Sequence, residues 1–241
     1  MTATDPAQNH PGAIDLYAWP TPNGYKISIA LEEMGLPYTV HPVDIGGGDQ
    51  FKPDFLAISP NNRMPAIVDP HGPNGQPLSL FESGAILIYL AEKTGQFRPA
   101  DPAAWYGHVQ WLMWQMGGVG PMFGQAGHFR HYAPERIQYG IDRYTNEGRR
   151  LIRVANTQLA KTEYLAGDYG IADMATFPWL RLHDRYDIDL ADFPHVKRWI
   201  DAVAARPAVQ RGLLLLADKV RPASQAMDDK ARENLFGARQ R

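Results

Sequence analysis

Up to about residue 95, the apolar positions switch between short strand-like runs and helical spacing. Ile14-Asp15-Leu16-Tyr17 reads as a strand, ended by the turn-rich Trp19-Pro20-Thr21-Pro22-Asn23-Gly24. Ile27, Ala30, Leu31 and Met34 follow at helical spacing, and Gly35 is their stop. Tyr38 to Val43 reads as a second strand, which makes the opening a βαβ unit. Gly46-Gly47-Gly48 and its flanks read as loop. A strand over Ala66–Asp69, a turn, a strand over Leu78–Phe81 and a helix over Ser83–Lys93 complete this half. The order predicts a small mixed sheet with helices packed against it.

After Thr94-Gly95 the strand signal stops, and Asp101-Pro102 opens a nearly all-helical half. Trp105 to Met116 is apolar and aromatic. Ile137, Ile141, Tyr144, Leu151 and Val154 mark a long helix, and Asp173 to about His183 a third. Val196, Trp199, Ile200 and Val203 mark a fourth, with Pro207 opening the last. Residues 1–12 show no periodicity and read as a disordered tail, and 221–241 as a flexible one. The expected divisions are therefore 13–95 for the mixed half and 101–220 for the helical half.

Composition narrows the chemistry. The 241 residues are 44% hydrophobic, enough for one large core or two small ones. A net charge of −2 gives no electrostatic reason to expect nucleic acid or an anionic membrane as partner. Neither a membrane span nor a secretory signal is visible, so a cytoplasmic location is expected. The chain has no cysteine. Any thiol chemistry must therefore use a sulfur that a ligand brings in.

The strongest local signal is S-P-N-N-R-M-P-A-I-V-D, followed by L-F-E-S-G-A-I-L-I-Y-L. Pro65 stands directly ahead of a β-branched pair, where it starts a strand or belongs to a turn. A cis bond there would turn the backbone N–H and C=O of Met64 outward, able to pair with an extended peptide. Glu82-Ser83 opens a helix whose free amides favour a carboxylate. Together these predict a dock for a short, acidic, peptide-like molecule. Thr21-Pro22-Asn23, at another helix start, offers a hydroxyl and a carboxamide that could donate to a sulfur anion and lower a thiol's pKa. The same residues also fit an ordinary N-cap with proline in the first turn.

Other candidates carry less. Gln50 could orient a ligand carboxylate, although a loop glutamine is usually just solvated. The glycine run lacks a phosphate-cradle context. His128 and His131 have no partners for a metal site, and no metal is expected. Tyr17 fits a sheet or core residue better than a hydroxyl donor. Trp111, Met113, Trp114 and Met116 form an apolar patch that reads first as bundle core and second as the edge of a hydrophobic pocket. Arg143, Arg149, Arg150 and Arg153 read as a solvated basic face, from which one could hold a carboxylate bidentately.

These motifs, with I-A-D at 171–173, resemble the cytosolic glutathione transferase superfamily from about Ile14 to Leu216. A-W-P-T-P-N-G-Y-K-I, I-S-P-N-N-R-M-P-A-I-V-D and W-Q-M-G-G-V-G-P-M-F-G-Q are similar to the bacterial nu class, a group of glutathione-dependent disulfide-bond reductases. That class is in turn similar to the globular region of the yeast nitrogen-regulating prion protein. The resemblance implies an α/β thioredoxin-like N-terminal domain plus an all-α C-terminal bundle, a homodimer, and glutathione at the domain junction. It puts Thr21 and Asn23 at the ligand sulfur and Gln50 at the glycine carboxylate. Met64 before a cis Pro65 clamps the cysteinyl unit, and Glu82 and Ser83 hold the γ-glutamyl end. Arg143 falls near a second glutathione, since the class holds two per subunit or their disulfide.

The expected activity is disulfide reduction with glutathione, with some transferase and peroxidase capacity. Its rivals are conventional conjugation of electrophiles and a non-catalytic glutathione-binding regulator. One departure from the family stands out: Gly170 occupies the helix cap three residues before Asp173, where Ser or Thr is usual. Glycine is a tolerable cap, at an expected cost of only a few tenths of a kcal/mol, roughly.

Overall fold

A computed structural model describes residues 12–220 and 227–238 of the chain. The expected N-terminal tail thus lies, except for Gly12, outside the described residues. Two compact units emerge: one runs to Tyr89 and resumes at Arg211, and the other is Leu90–Gln210.

In the first unit the elements are β1 (Ile14–Ala18), α1 (Pro22–Met34), β2 (Tyr38–Pro42), α2 (Pro53–Ile58), β3 (Ala66–Asp69), β4 (Leu78–Phe81) and the start of α3 (Ser83–Thr94). The sheet order is β2-β1-β3-β4. β1 and β2 are parallel, while β1–β3 and β3–β4 are antiparallel, with Leu16 opposite Ile67 and Ile67 opposite Leu80. This is the expected thioredoxin-like sheet. Its core is fully buried Leu16, Ile27, Leu31, Ile67, Ile86 and Leu87. Gly35 ends α1 in the left-handed conformation at φ 65°, as its place after Met34 predicts.

Two local expectations are corrected. The turn after β1 is shorter than expected, because α1 already begins at Pro22, whose fixed φ suits a first helical position. The flank of the glycine run is not plain loop: a single 3-10 turn, Asp49–Phe51, leads into α2. Proline at 53 opened that helix, but its six residues are too few to show a period.

The second unit holds α4 (Pro102–Trp114), α5 (Gly120–Gly127), α6 (Gln138–Leu159), α7 (Ile171–Leu180), α8 (Pro194–Ala204) and the start of α9 (Pro207–Gly212). A π-helical turn at Gln115–Val119 joins α4 to α5. Phe123, Ile152, Phe177 and Trp199 are its large buried side chains. The reading of Trp111, Met113, Trp114 and Met116 as bundle core fails. Met113 is 47% exposed, and the other three are only half-buried. The buried stripe is His108, Leu112, Gln115 and Val119. Two of those four are polar, so hydropathy pointed at the wrong face.

At the head of α7, Asp173 accepts from the backbone N–H of Gly170 (3.0 Å) and of Leu165 (3.1 Å) and from Trp199 Nε1 (2.7 Å). Burial pushes its carboxyl up to about 6, opposed by those hydrogen bonds. The unusual glycine has a steric reason. A Cβ at residue 170 would lie 2.4 Å from Cε1 of the buried His108 ring.

Residues from Arg211 onward group with the first unit rather than with the helices before them. Gly212 permits this, because a Cβ there would sit 2.7 Å from the Ile29 backbone. Its carbonyl accepts from Ser28 Oγ at 2.7 Å. The segment expected as a flexible C-terminal tail is partly helical. It contains α10 (Asp229–Phe236), capped by Asp228 and anchored by Asn234, which is only 3% exposed. The rest of that tail, residues 221–226 and 239–241, lies outside the described residues.

Candidate functional site

The strand directions gather four loops on one rim of the sheet. Parallel β1 and β2 both leave the sheet there, toward Thr21 and toward the glycine run. β3 runs the other way, with Ala66 opposite Tyr17, so its entry at Met64-Pro65 lies at the same rim. β4 reverses again, with Phe81 opposite Ala66, and its exit at Glu82-Ser83 joins them. Thr21, Asn23, Gln50, Met64, Pro65, Glu82 and Ser83 are therefore brought together by topology alone. Arg143 is exposed on α6 of the second unit, where the Arg150 hydrogen bond first, and the Arg143 charge in addition, hold the Glu147 carboxyl below its usual range.

Thr21 is the N-cap of α1, with extended backbone (φ −129°, ψ 164°) and Oγ1 accepting from the Gly24 N–H at 3.4 Å. The same hydroxyl donates to Met64 Sδ at 3.7 Å. One hydroxyl thus both caps the helix and donates to a sulfur of the protein itself. Gly24 makes the tight entry possible, since a Cβ there would meet the Trp19 carbonyl oxygen at 2.1 Å. Asn23 is half-buried in the first turn of α1.

The Met64-Pro65 bond is cis. Among the described residues, the Met64 N–H and C=O enter none of the turn and loop backbone hydrogen bonds. Its side chain packs against Val43, Phe55 and Ala66. A strand-like ligand finds here one donor and one acceptor on a firmly seated residue.

Glu82 adopts φ 70°, the left-handed region, at a cost of about 1 kcal/mol or more for a residue with a Cβ. Its carbonyl accepts from the Ile86 N–H at 3.0 Å, so it caps α3, and its exposed carboxylate accepts from Asn61 Nδ2 at 3.4 Å. Ser83, at the first helical position, is only 4% exposed. Its Oγ accepts from Lys26 Nζ at 3.2 Å. Lys26 is itself 1% exposed. Burial lowers its pKa to about 7, and the Glu82 charge acts in the opposite direction. Sequence reasoning missed this lysine. Its signal was a lone cation inside G-Y-K-I-S-I-A-L, a stretch that is buried throughout.

Gln50 is presented differently. It is 2% exposed, and its Nε2 donates to the carbonyls of Ile45 (3.1 Å) and Asn234 (3.4 Å). Its Oε1 is buried without a hydrogen-bond partner. Asn234 in turn donates from Nδ2 to the Gly46 carbonyl at 2.8 Å. The carboxamide is therefore occupied by α10 rather than turned to solvent.

Trp111 lines a shallow groove in the second unit with Val154, Arg150, Arg153 and Lys161, where its ring meets both apolar and cationic side chains. Among the described residues no group of three or more side chains could hold a metal ion, and no helix is long and apolar enough to cross a membrane.

Two family descriptions match the chain: glutathione S-transferase, N-terminal domain, over residues 12–92, and glutathione S-transferase, C-terminal domain, over residues 127–207. The chain is 53% identical to the disulfide-bond oxidoreductase YfcG of Escherichia coli over 204 residues, covering 83% of this chain and 94% of that protein. It is similar to a glutathione transferase from Burkholderia graminis, crystallised with two glutathione molecules per subunit (51% identity, TM-score 0.83), covering 86% of this chain and 90% of the other. A glutathione transferase from Pseudomonas putida, crystallised with one glutathione disulfide per subunit, is 49% identical with TM-score 0.82, covering 87% of this chain and 94% of the other.

Proposed function

Because this chain belongs to the glutathione S-transferase family, we propose that it is an enzyme that reduces disulfide bonds with glutathione. The observation that carries this reading is the Thr21 hydroxyl, which donates to the thioether sulfur of Met64 at the cis-proline loop, in a chain that has no thiol of its own. Glutathione pairs with the backbone of Met64, while Glu82 and Ser83 hold its γ-glutamyl end. Its sulfur lies against Thr21 and Asn23. A thiolate is a far stronger acceptor than the thioether that now receives the Thr21 proton, so the hydroxyl turns to the ligand with little reorganisation.

The bound thiolate attacks one sulfur of the substrate disulfide, forming a mixed disulfide and releasing the other half as a thiolate. A second glutathione thiolate attacks the mixed disulfide, giving glutathione disulfide and the second substrate thiolate. The crystals of the Burkholderia and Pseudomonas relatives, with two glutathiones and with the disulfide, support a site that accommodates both. Arg143 is assigned to the second glutathione by family resemblance. Gln50 reaches a glycine carboxylate only when Asn234 gives way.

Side-by-side assays of a small disulfide and a chlorinated aromatic, each with glutathione, test the reading. Faster turnover of the disulfide is expected. Faster conjugation would make the chain a conventional transferase, and binding without turnover of either would make it a regulator.

The working form is a homodimer. Tyr106 and Met113, one heptad apart on α4, are 69% and 47% exposed, an apolar stripe that a second copy would cover. Sedimentation should give twice the mass of the chain, and Met113→Glu should shift it toward one. A reductase that spends glutathione works where the reduced pool is kept, which favours the cytoplasm.

A further inference from the structure

Lys26 takes no part in the chemistry above, yet it lies directly behind the residue assigned to the γ-glutamyl end. A lysine held at 1% exposure is costly unless polar groups meet its charge, and Ser83 is one of the groups that do. Nζ lies 3.2 Å from Ser83 Oγ, and Glu82, one residue earlier, is a charged group acting on it. α1 thus places an ammonium underneath the rim, on the protein side of the Ser83 hydroxyl.

An ammonium has three protons and no lone pair, so toward Lys26 the Ser83 oxygen can only accept. The hydroxyl proton must then point elsewhere. A neutral amine has a lone pair and can draw that proton inward. The protonation state of Lys26 therefore selects the direction of the Ser83 hydroxyl. We propose that Lys26 is a positioning residue for the ligand's α-carboxylate: its ammonium turns the Ser83 hydroxyl outward to donate to that carboxylate, and ligand binding holds the proton on Lys26.

The inference rests on the assignment of Glu82 and Ser83 to the glutamyl end. With a lysine that titrates near neutrality, it makes ligand binding a proton-uptake event. The proton comes from solvent and goes to Nζ, and no covalent bond of the ligand changes.

S-methylglutathione is the suitable probe, because its blocked sulfur cannot release a proton of its own. Calorimetric titration in two buffers of different ionisation enthalpy at pH 7.5 should show uptake of roughly half a proton per site. Affinity should fall as pH rises from 7 to 9, whereas Lys26→Met should bind about tenfold more weakly, without uptake and with a flat profile across that range. Uptake that persists in Lys26→Met, or wild-type binding with no uptake, overturns the role of Lys26 and leaves the glutathione site standing. Because the wild-type measurement is decisive by itself, a poorly folded variant does not protect the idea. Absence of any S-methylglutathione binding to wild type overturns the site assignment and this inference together.

Discussion

The Thr21 hydroxyl donates to the Met64 thioether sulfur at 3.7 Å, a contact between residues 43 positions apart in the chain. It joins the start of α1 to the cis-proline loop. β1 and β3 make the contact unavoidable, because their antiparallel pairing brings the end of one beside the beginning of the other.

Removing that hydroxyl should expose its role. A hydrogen bond to a charged acceptor contributes about 1.5–3 kcal/mol, so Thr21→Ala should lower disulfide-reductase kcat/KM by roughly 10- to 150-fold. Thr21→Ser keeps the donor and should retain most of the activity. Titration of the bound thiolate by its ultraviolet absorbance should show a higher pKa in the alanine variant. Full activity of Thr21→Ala would remove this residue from the mechanism.

α10 competes for Gln50. The amide that should meet a glycine carboxylate is spent on Asn234, whose own side chain anchors the helix to Gly46. Asn234→Ala removes an anchor of about 1 kcal/mol and should lower the KM for glutathione by up to roughly fivefold with kcat unchanged. Gln50→Ala should raise the same KM. Identical kinetics for Asn234→Ala and wild type would show that α10 does not limit access to Gln50.

Gly170 and His108 form a coupled pair. Gly170→Ser supplies a better cap for α7 but drives a Cβ into the imidazole ring, so it should destabilise the protein despite the added hydrogen bond. In the double variant with His108→Ala, the serine should become stabilising by roughly a few tenths of a kcal/mol relative to His108→Ala alone. Urea denaturation of the four proteins reads this sign change directly. Additive effects would mean that the ring moves aside freely.

Lys26 also predicts a stability profile. Its folded pKa of about 7 lies below that of an unfolded lysine, so the unfolded chain binds more protons between pH 7 and the lysine's ordinary range. The charge penalty is fully present below pH 7 and is relieved as pH rises. Wild type should therefore gain stability relative to Lys26→Met across that window, at up to about 1.4 kcal/mol per pH unit. A constant difference between the two proteins from pH 7 to pH 9.5 would show that the lysine is protonated throughout.

Several parts of this molecule were legible in residue order alone. The strands, the C-terminal end of α1, helix α3 and the cis-proline loop follow from turn residues and from period, because they depend on neighbours within a few positions. The lack of cysteine determined, without any coordinates, that reactive sulfur must arrive with a ligand. Tertiary structure decided what local pattern cannot hold. Lys26 looks like a surface residue of an amphipathic helix until α1 is seen to be covered on all sides. Gln50 looks solvated until a helix 184 residues later closes over it. The apolar patch at Trp111–Met116 looks like core until the polar His108 and Gln115 are found on the buried stripe instead. Each of these is a matter of which face another segment covers. That is set by long-range packing, and no sequence window contains it.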